Sequence, residues 1–424
     1  MLNAVHEYSK EHLYKIHPSK SSITNMAKAQ NEALTYHLGD DIIPEASSFI
    51  HLGLEWRANK TGPDIHGKIA QARKASYALI GAGMHGGNGL SPAVSRKIID
   101  TYIIPRLLYG LEAVVLSNSE VEELSSYHRS LLRQIQSLPK YTAVEAVYLL
   151  LGTLPLEAEI HIRVLNLYGA ICRSENTTMK ELASRQLSMG SSYSWFNYVQ
   201  QICQKYNITT EASLTAPWYK KSWKNYIQLT IRGFWIKDLL LRKASKSSLS
   251  LLLVATPSKG TTHPVWESCI RNPRCVNAAI TRARLITGTY GTMKQNSKMD
   301  RTPGKDTCAL CYEETEDIPH LLLRCKALEI CRNDGLDLLA REGFTVNGSD
   351  ANAAMLLLNG PTKSSSDMRN NNYYYKIQGL INSLCHRLHT QRLNKISTSS
   401  IHRVNNKKSS KNKCGGRVCS SDMK

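Results

Sequence analysis

The chain has 424 residues, with 54 Lys+Arg against 34 Asp+Glu, a formal net charge of +20, and 42% hydrophobic residues. That apolar fraction excludes a wholly disordered chain, and the length suggests roughly two to three domains. A membrane helix needs ~18 uninterrupted apolar residues; Leu251-Leu252-Leu253-Val254 is too short and residues 103–116 contain Pro105, Arg106 and Glu112, so no membrane partner is expected.

Taken in chain order, residues 1–16 predict a helix that His17-Pro18-Ser19-Lys20 stops, through the missing amide and fixed φ of proline. Charged residues at Glu7, Lys10, Glu11, Lys15 and Lys20 leave no apolar core for a secretory signal. The expected setting is therefore a reducing compartment, cytoplasmic or nuclear, where the eleven cysteines serve as thiols or metal ligands rather than as a disulfide framework. Residues 34–38 and Ile42-Ile43 read as short strands about a Gly39-Asp40-Asp41 turn, and residues 49–56 alternate as one further strand.

From residue 63 to about 173 the periodicity is helical. Ile65, Ile69 and Ala72 begin a helix that the glycines between Gly81 and Gly89 end, and Ser91-Pro92 opens the next as N-cap and first-turn proline, with Val94, Ile98, Tyr102 and Ile103 as its apolar stripe. Val121, Leu124, His128, Leu131, Ile135 and Leu138 form a further stripe, on which His128 reads as a core histidine. Residues 188–194 are Ser/Gly-rich and mark a boundary, and residues 245–264 read as a linker around one brief element. Residues 271–287 predict a helix followed by a polar loop to Asp306, and Ile377, Leu380, Ile381, Leu384 and Leu388 predict the last helix.

The positive charge is uneven. Residues 386–424 hold ten Lys/Arg and a single acid, Asp422, and read as a disordered basic tail from about residue 393. Such a surplus favours a polyanionic partner, because basic side chains neutralise phosphates and release counterions. Residues 218–243 interleave aromatics with bases. Lys220, Lys221, Lys224, Arg232 and Arg242 are candidate phosphate contacts, with Trp218 and Trp223 as stacking platforms. The alternative is an amphipathic helix that buries Trp223, Ile227 and Phe234 and leaves its lysines solvated.

The sharpest chemical motif is Cys308-x2-Cys311-x8-His320-x4-Cys325. Two cysteines on a tight knuckle, with a His and a Cys from the next element, complete a tetrahedral set for structural Zn²⁺, and four protein ligands leave no open catalytic position. The alternative is ordinary reduced thiols beside a helix starting near Pro319; for the zinc reading Cys331, less than two helical turns beyond Cys325, could substitute as a ligand, and Cys414-x4-Cys419 lacks partners. Glu313, Glu314, Glu316 and Asp317 between the ligands are expected to be solvated. Gly39-Asp40-Asp41 reads as a turn rather than as paired metal-binding carboxylates, so Mg²⁺ is not expected. Asp334, Asp337, Glu342 and Asp350 lack the strand pattern that would assemble a nuclease site.

In their order, several stretches resemble the downstream half of a non-LTR, LINE-type retrotransposon reverse transcriptase. Ile16-His17-Pro18-Ser19-Lys20-Ser21 is similar to the segment after the catalytic aspartates, and Phe49-Ile50-His51-Leu52-Gly53-Leu54 to the primer-grip strand. Tyr102-Ile103-Ile104-Pro105-Arg106-Leu107-Leu108-Tyr109-Gly110 resembles the thumb, and Arg282-Ala283-Arg284-Leu285-Ile286-Thr287-Gly288-Thr289-Tyr290 with the Cys/His motif resembles the family's C-terminal segment. The resemblance covers roughly residues 1–392 and implies accessory roles for Lys20, Leu52 and Gly53. The family's paired catalytic aspartates would precede residue 1, so no catalytic residue and no autonomous polymerase activity are expected.

The implied fold is mainly α with a small N-terminal β part, in five stretches: a palm-edge remnant (1–62), a helical thumb-like domain (63–187), an aromatic-basic helical module (192–300), a Cys/His segment with a C-terminal helix (301–392) and the tail (393–424). The implied partner is RNA, an RNA:DNA hybrid or target DNA, and possible company is an intact retroelement protein. The competing readings are a polymerase's downstream part acting only with a palm-containing partner, and a zinc-stabilised helical interaction protein with no nucleic-acid role.

Overall fold

A computed structural model describes residues 1–24, 35–51, 53–57, 64–87, 89–190, 194–209, 219–254, 262–270, 272–302, 304–361 and 368–413. The chain is mainly helical, with two β-hairpins near its N-terminus. It divides into two compact units, each assembled from three segments: Met1–Leu79, Ile98–His128 and Leu154–Trp235 in the first, Ile80–Lys97, Arg129–Thr153 and Ile236–Lys424 in the second. These units cut across the sequential stretches read from the sequence; the Ser/Gly-rich stretch at 188–194, for example, lies inside the first unit.

In the first unit, α1 (Leu2–Glu11) ends earlier than expected, and Pro18–Lys20 forms a 3₁₀ turn instead of simply breaking a helix. Strands β1 (Tyr36–Leu38) and β2 (Asp41–Ile43) pair antiparallel through Gly39-Asp40, so the Gly-Asp-Asp sequence is a hairpin turn. Gly39 takes φ +65, the left-handed region that favours glycine, and a Cβ there would also displace the His6 ring, whose Cε1 would lie 2.4 Å away. Residues 49–56 are not one strand. Gly53, at φ +76, folds them into a second hairpin, β3 (Ser48–His51) against β4 (Leu54–Arg57).

Helix α2 (Ile65–Gly81) buries Ile65, Ile69 and Ala72 as expected. The next stripe differs from its expected phase. A π turn (Ile99–Ile103) stands between α3 (Pro92–Ile98) and α4 (Ile104–Leu108), directly before Pro105, which has no amide to give the helical ladder. The extra residue in that turn buries Ile99, Ile103, Ile104, Leu107 and Leu108, while Tyr102 is exposed. Helix α5 (Asn118–Ile135) buries Leu124, His128, Leu131 and Ile135 on the predicted stripe. The second unit contributes α6 (Val144–Leu151).

Helices α7 (Leu156–Cys172), α8 (Thr177–Met189) and α9 (Trp195–Tyr206) pack on one another, and α10 (Lys220–Ala244) lays Trp223, Ile227 and Ile231 inward. Trp223 Nε1 donates to Leu165 O at 2.9 Å. Space for the indole exists because residue 169 is glycine: a Cβ there would lie 2.3 Å from Trp223 Nε1.

The second unit holds the short α11 (Pro264–Glu267), α12 (Val276–Ile286), α13 (Met293–Met299), α14 (Glu329–Arg341), α15 (Asp350–Asn359) and α16 (Met368–Lys413); α11, α12 and α14 pack against α16, α12 and α14 most extensively, and α15 packs on α12. Tyr374, Ile377, Ile381, Leu384, Cys385 and Leu388 form its buried face. The helix continues to Lys413, past residue 393, where the sequence predicts loss of order. Residues there lack apolar periodicity, but helix propagation needs no buried face once a packed segment has nucleated it.

Candidate metal centre

Cys308 and Cys311 lie on a knuckle closed by short backbone hydrogen bonds. Cys308 N donates to Glu314 O at 2.7 Å, Tyr312 N to Cys308 O at 3.0 Å, and Tyr312 takes a positive φ of 60 that reverses the chain. Thr307 and Thr315 pair antiparallel across its base. His320 and Cys325 come from the following element, which is a π turn (His320–Arg324) rather than an α-helix. Its hydrogen bond from Cys325 N to His320 O, 2.8 Å, matches the x4 spacing, since a π turn joins residues five apart.

These four side chains converge. One ligand atom from each of Cys308, Cys311, His320 and Cys325 lies within 4.8 Å of all the others, so the cluster could hold a metal ion. Cys308 Sγ is 3.9 Å from Cys325 Sγ, and Cys311 Sγ is 3.5 Å from His320 Nε2. Three of the four are buried and Cys311 is half-buried. The hydrogen bond from Cys325, then those from backbone amides of Cys311 and Leu310, draw the Cys308 thiol down to about 4, while the same contact and burial push Cys325 up.

A supporting layer surrounds the ligands. His320 Nδ1 donates to Glu314 Oε2 at 3.1 Å, which leaves Nε2 with its lone pair toward the cysteines. Hydrogen bonding from His320, then from Arg324, holds the Glu314 carboxyl below the usual range. Arg324 also pairs with Asp350, and His320 N donates to Asp317 Oδ1 at 3.0 Å. Glu316 departs from the expectation of a solvated loop: it is 0% exposed and takes a bidentate pair from Arg392, Nε to Oε1 and Nη2 to Oε2, both 2.7 Å. Cys331 stands outside the cluster, and Cys414 and Cys419 lie outside the described residues. Asp334, Glu342 and Asp350 pair with Arg387, Lys376 and Arg324 instead of assembling with one another.

The basic candidates are distributed differently from the reading along the sequence. Lys220, Lys221 and Lys224 are exposed at the start of α10. Arg232 is half-buried, and Arg242 is paired with Asp238 and belongs to the second unit. Trp223 cannot stack on a base, because it is 3% exposed with its Nε1 bonded internally. Burial of Trp223 and Ile227 follows the amphipathic-helix alternative, although Phe234 is exposed. Tyr219, 87% exposed beside Lys220, is an open aromatic that the stacking assignment passed over. Trp218 and Leu52 lie outside the described residues. Lys20 is exposed on its 3₁₀ turn and Gly53 forms the β3–β4 turn.

Comparison with protein-family models, curated proteins and solved structures finds no significant match to this chain. No helix among the described residues is long and apolar enough to cross a membrane.

Proposed function

We propose that the chain binds nucleic acid, as a non-catalytic relative of the downstream half of LINE-type reverse transcriptases, with a structural zinc ion holding its Cys/His segment together. The observation that carries the binding is the grouping of Lys220, Lys221 and Lys224, all exposed within five residues on a helix whose indole side chain points inward. Such lysines hold phosphates rather than read bases, so the partner is an RNA, an RNA:DNA hybrid or target DNA gripped through its backbone.

Zinc fits the donor set. A tetrahedron with Zn–S of about 2.3 Å and Zn–N of about 2.0–2.1 Å has S···S and S···N edges of about 3.8 and 3.6 Å; the Cys308–Cys325 and Cys311–His320 edges are 3.9 and 3.5 Å, and all four ligand atoms lie within 4.8 Å of one another. The four protein ligands complete the coordination, which makes the ion a fold-stabilising element and assigns the chemistry of binding to the lysines.

The test is titration of a fluorescent single-stranded RNA at several salt concentrations with the full chain and with a variant carrying Lys220→Glu, Lys221→Glu and Lys224→Glu. Removing three phosphate contacts should flatten the slope of log K against log salt by about two. A slope equal to the parent's overturns the assignment of these lysines.

A further inference from the structure

In the second unit two further cysteines stand together. Cys269 lies in the 3₁₀ turn Ser268–Ile270 and Cys275 ends the 3₁₀ turn Pro273–Cys275, and their sulfurs are 3.3 Å apart. A disulfide bond needs about 2.05 Å, so an approach of about 1.2 Å would close one. The two thiols differ in access: Cys269 is fully buried, Cys275 half-buried. Each thiol also has a backbone carbonyl acceptor, Val265 O at 3.6 Å for Cys269 Sγ and Asn272 O at 2.9 Å for Cys275 Sγ, so access is what separates the two.

Arg282 supplies a second, independent observation. Its guanidinium is fully buried and bonded to neutral oxygens alone: Nε to Leu358 O at 2.7 Å, Nη1 to Asn382 Oδ1 at 2.9 Å and Gln378 O at 3.4 Å, Nη2 to Gln378 Oε1 at 2.7 Å. A buried cation without a carboxylate favours any anion that can form nearby. The acidic groups its field acts on are Cys385, Tyr374, Cys269 and Cys275. Of these only Cys275 is drawn below the usual thiol range, by its contact with Cys269 first; Cys269 is pushed up by that contact and by burial.

We propose that Cys269 and Cys275 form a reversible dithiol–disulfide site that reacts with peroxides, Cys275 meeting the oxidant and Cys269 resolving it. The Cys275 thiolate attacks one peroxide oxygen, so an S–O bond forms, the O–O bond breaks, and the departing oxygen takes a proton and leaves as water. Cys269 sulfur then attacks the Cys275 sulfenic acid; the S–S bond forms, the S–O bond breaks, and the Cys269 proton leaves with the hydroxide as a second water. The two sulfurs together lose two electrons and hydrogen peroxide gains them. Excess thiol reverses the step by exchange. This site is independent of the nucleic-acid reading.

The test uses the full chain, metal-loaded and reduced, treated with hydrogen peroxide, alkylated, digested with trypsin and read by mass spectrometry. Cleavage after Arg271 and Arg274 separates the two cysteines, so the disulfide appears as two linked peptides that dithiothreitol parts. Linkage of Cys269 to Cys275, with Cys172 and Cys385 still alkylated after unfolding, supports the site. In Cys269→Ser the oxidised Cys275 should be captured by dimedone, and in Cys275→Ser the buried Cys269 should stay unmodified. Both replacements are near-isosteric, which keeps the fold available for the comparison. Oxidation of half-buried Cys331 while the pair remains reduced, linkage of either cysteine to a different one, or a dimedone adduct on Cys269 in Cys275→Ser would each overturn the proposal.

Discussion

The Glu314 carboxylate meets the metal cluster through the His320 ring, and that separation makes it a useful probe. Replacing a ligand, as in Cys308→Ser, should abolish metal binding and lower the melting temperature together, because structural metal binding is coupled to folding. Glu314→Gln should instead leave the fold intact and weaken the metal roughly ten- to hundredfold, the usual effect of removing an outer partner of a ligating imidazole. Competition with a chromophoric chelator measures both; an unchanged affinity in Glu314→Gln would remove its role in orienting the ring. The four ligands were legible in the sequence because their spacing is local, each pair within seventeen residues. The burial of Glu316 was not, since Arg392, its partner, lies 76 residues away. The same holds for Arg282, whose acceptors on Leu358, Gln378 and Asn382 are 76 to 100 residues distant. Trp223 was misassigned for a related reason: a tryptophan among lysines has one composition whether it stacks outward or packs inward, and the deciding feature is the small residue at Gly169 on another helix.

Between elements, the close approach of α7 and α10 rests on that glycine. Alanine at 169 would gain about 0.5–1 kcal/mol of helix preference over glycine, but its Cβ would collide with an indole held by Leu165 O. Overpacking of this kind costs about 1–3 kcal/mol, so Gly169→Ala should lower the urea midpoint; a higher midpoint would mean that the indole relocates freely. A second tie joins α16 to the loop between the metal ligands. Arg392→Met leaves the Glu316 carboxylate buried and unpaired, which should cost about 3–5 kcal/mol, whereas adding Glu316→Gln should restore much of it. A double variant no more stable than Arg392→Met would contradict this account of the pair. The N-terminal strands, the α5 stripe and the apolar face of α16 were readable because alternation and helical period report burial directly. The phase of the stripe around Pro105 was not, because the π turn before it adds a residue that periodicity alone does not count. Nor was the second hairpin, where the alternation of residues 49–56 continues through the turn at Gly53.

Across the whole chain, α2, α5 and α10 each contribute residues to both units, so linker composition does not mark this division. In each unit a buried histidine is held neutral well below its usual range, His161 in the first and His263 in the second, and these two contribute to how the molecule responds to acid. In the first, Tyr206 Oη accepts from Trp235 Nε1 and donates to His161 Nδ1, each at 2.8 Å, and burial followed by the charge of Lys205 depresses His161 to about 3. In the second, His263 Nδ1 accepts from Val265 N at 3.2 Å while Nε2–H faces Leu253 O and Asn359 Oδ1, both at 3.1 Å, and burial followed by Arg282 depresses it to about 4. Both nitrogens of His263 are satisfied by the neutral ring, and a proton on Nδ1 would oppose the Val265 amide. An unfolded histidine titrates near 6.5. Below that pH the unfolded chain therefore binds a proton that the folded chain refuses, so stability is fully present above about 6.5 and is lost as pH falls toward the folded values. By pH 5, where ordinary carboxylates remain mostly ionised, each histidine should have removed about 2 kcal/mol from its unit. Urea unfolding at pH 7 and pH 5 checks this in His263→Asn against the parent. The readout is the difference in slope with pH, which isolates the ring from acid release of metal common to both proteins. The variant should be less stable at pH 7 yet lose about 2 kcal/mol less on acidification, and parallel pH dependence in the two proteins would show that His263 already carries its proton in the fold.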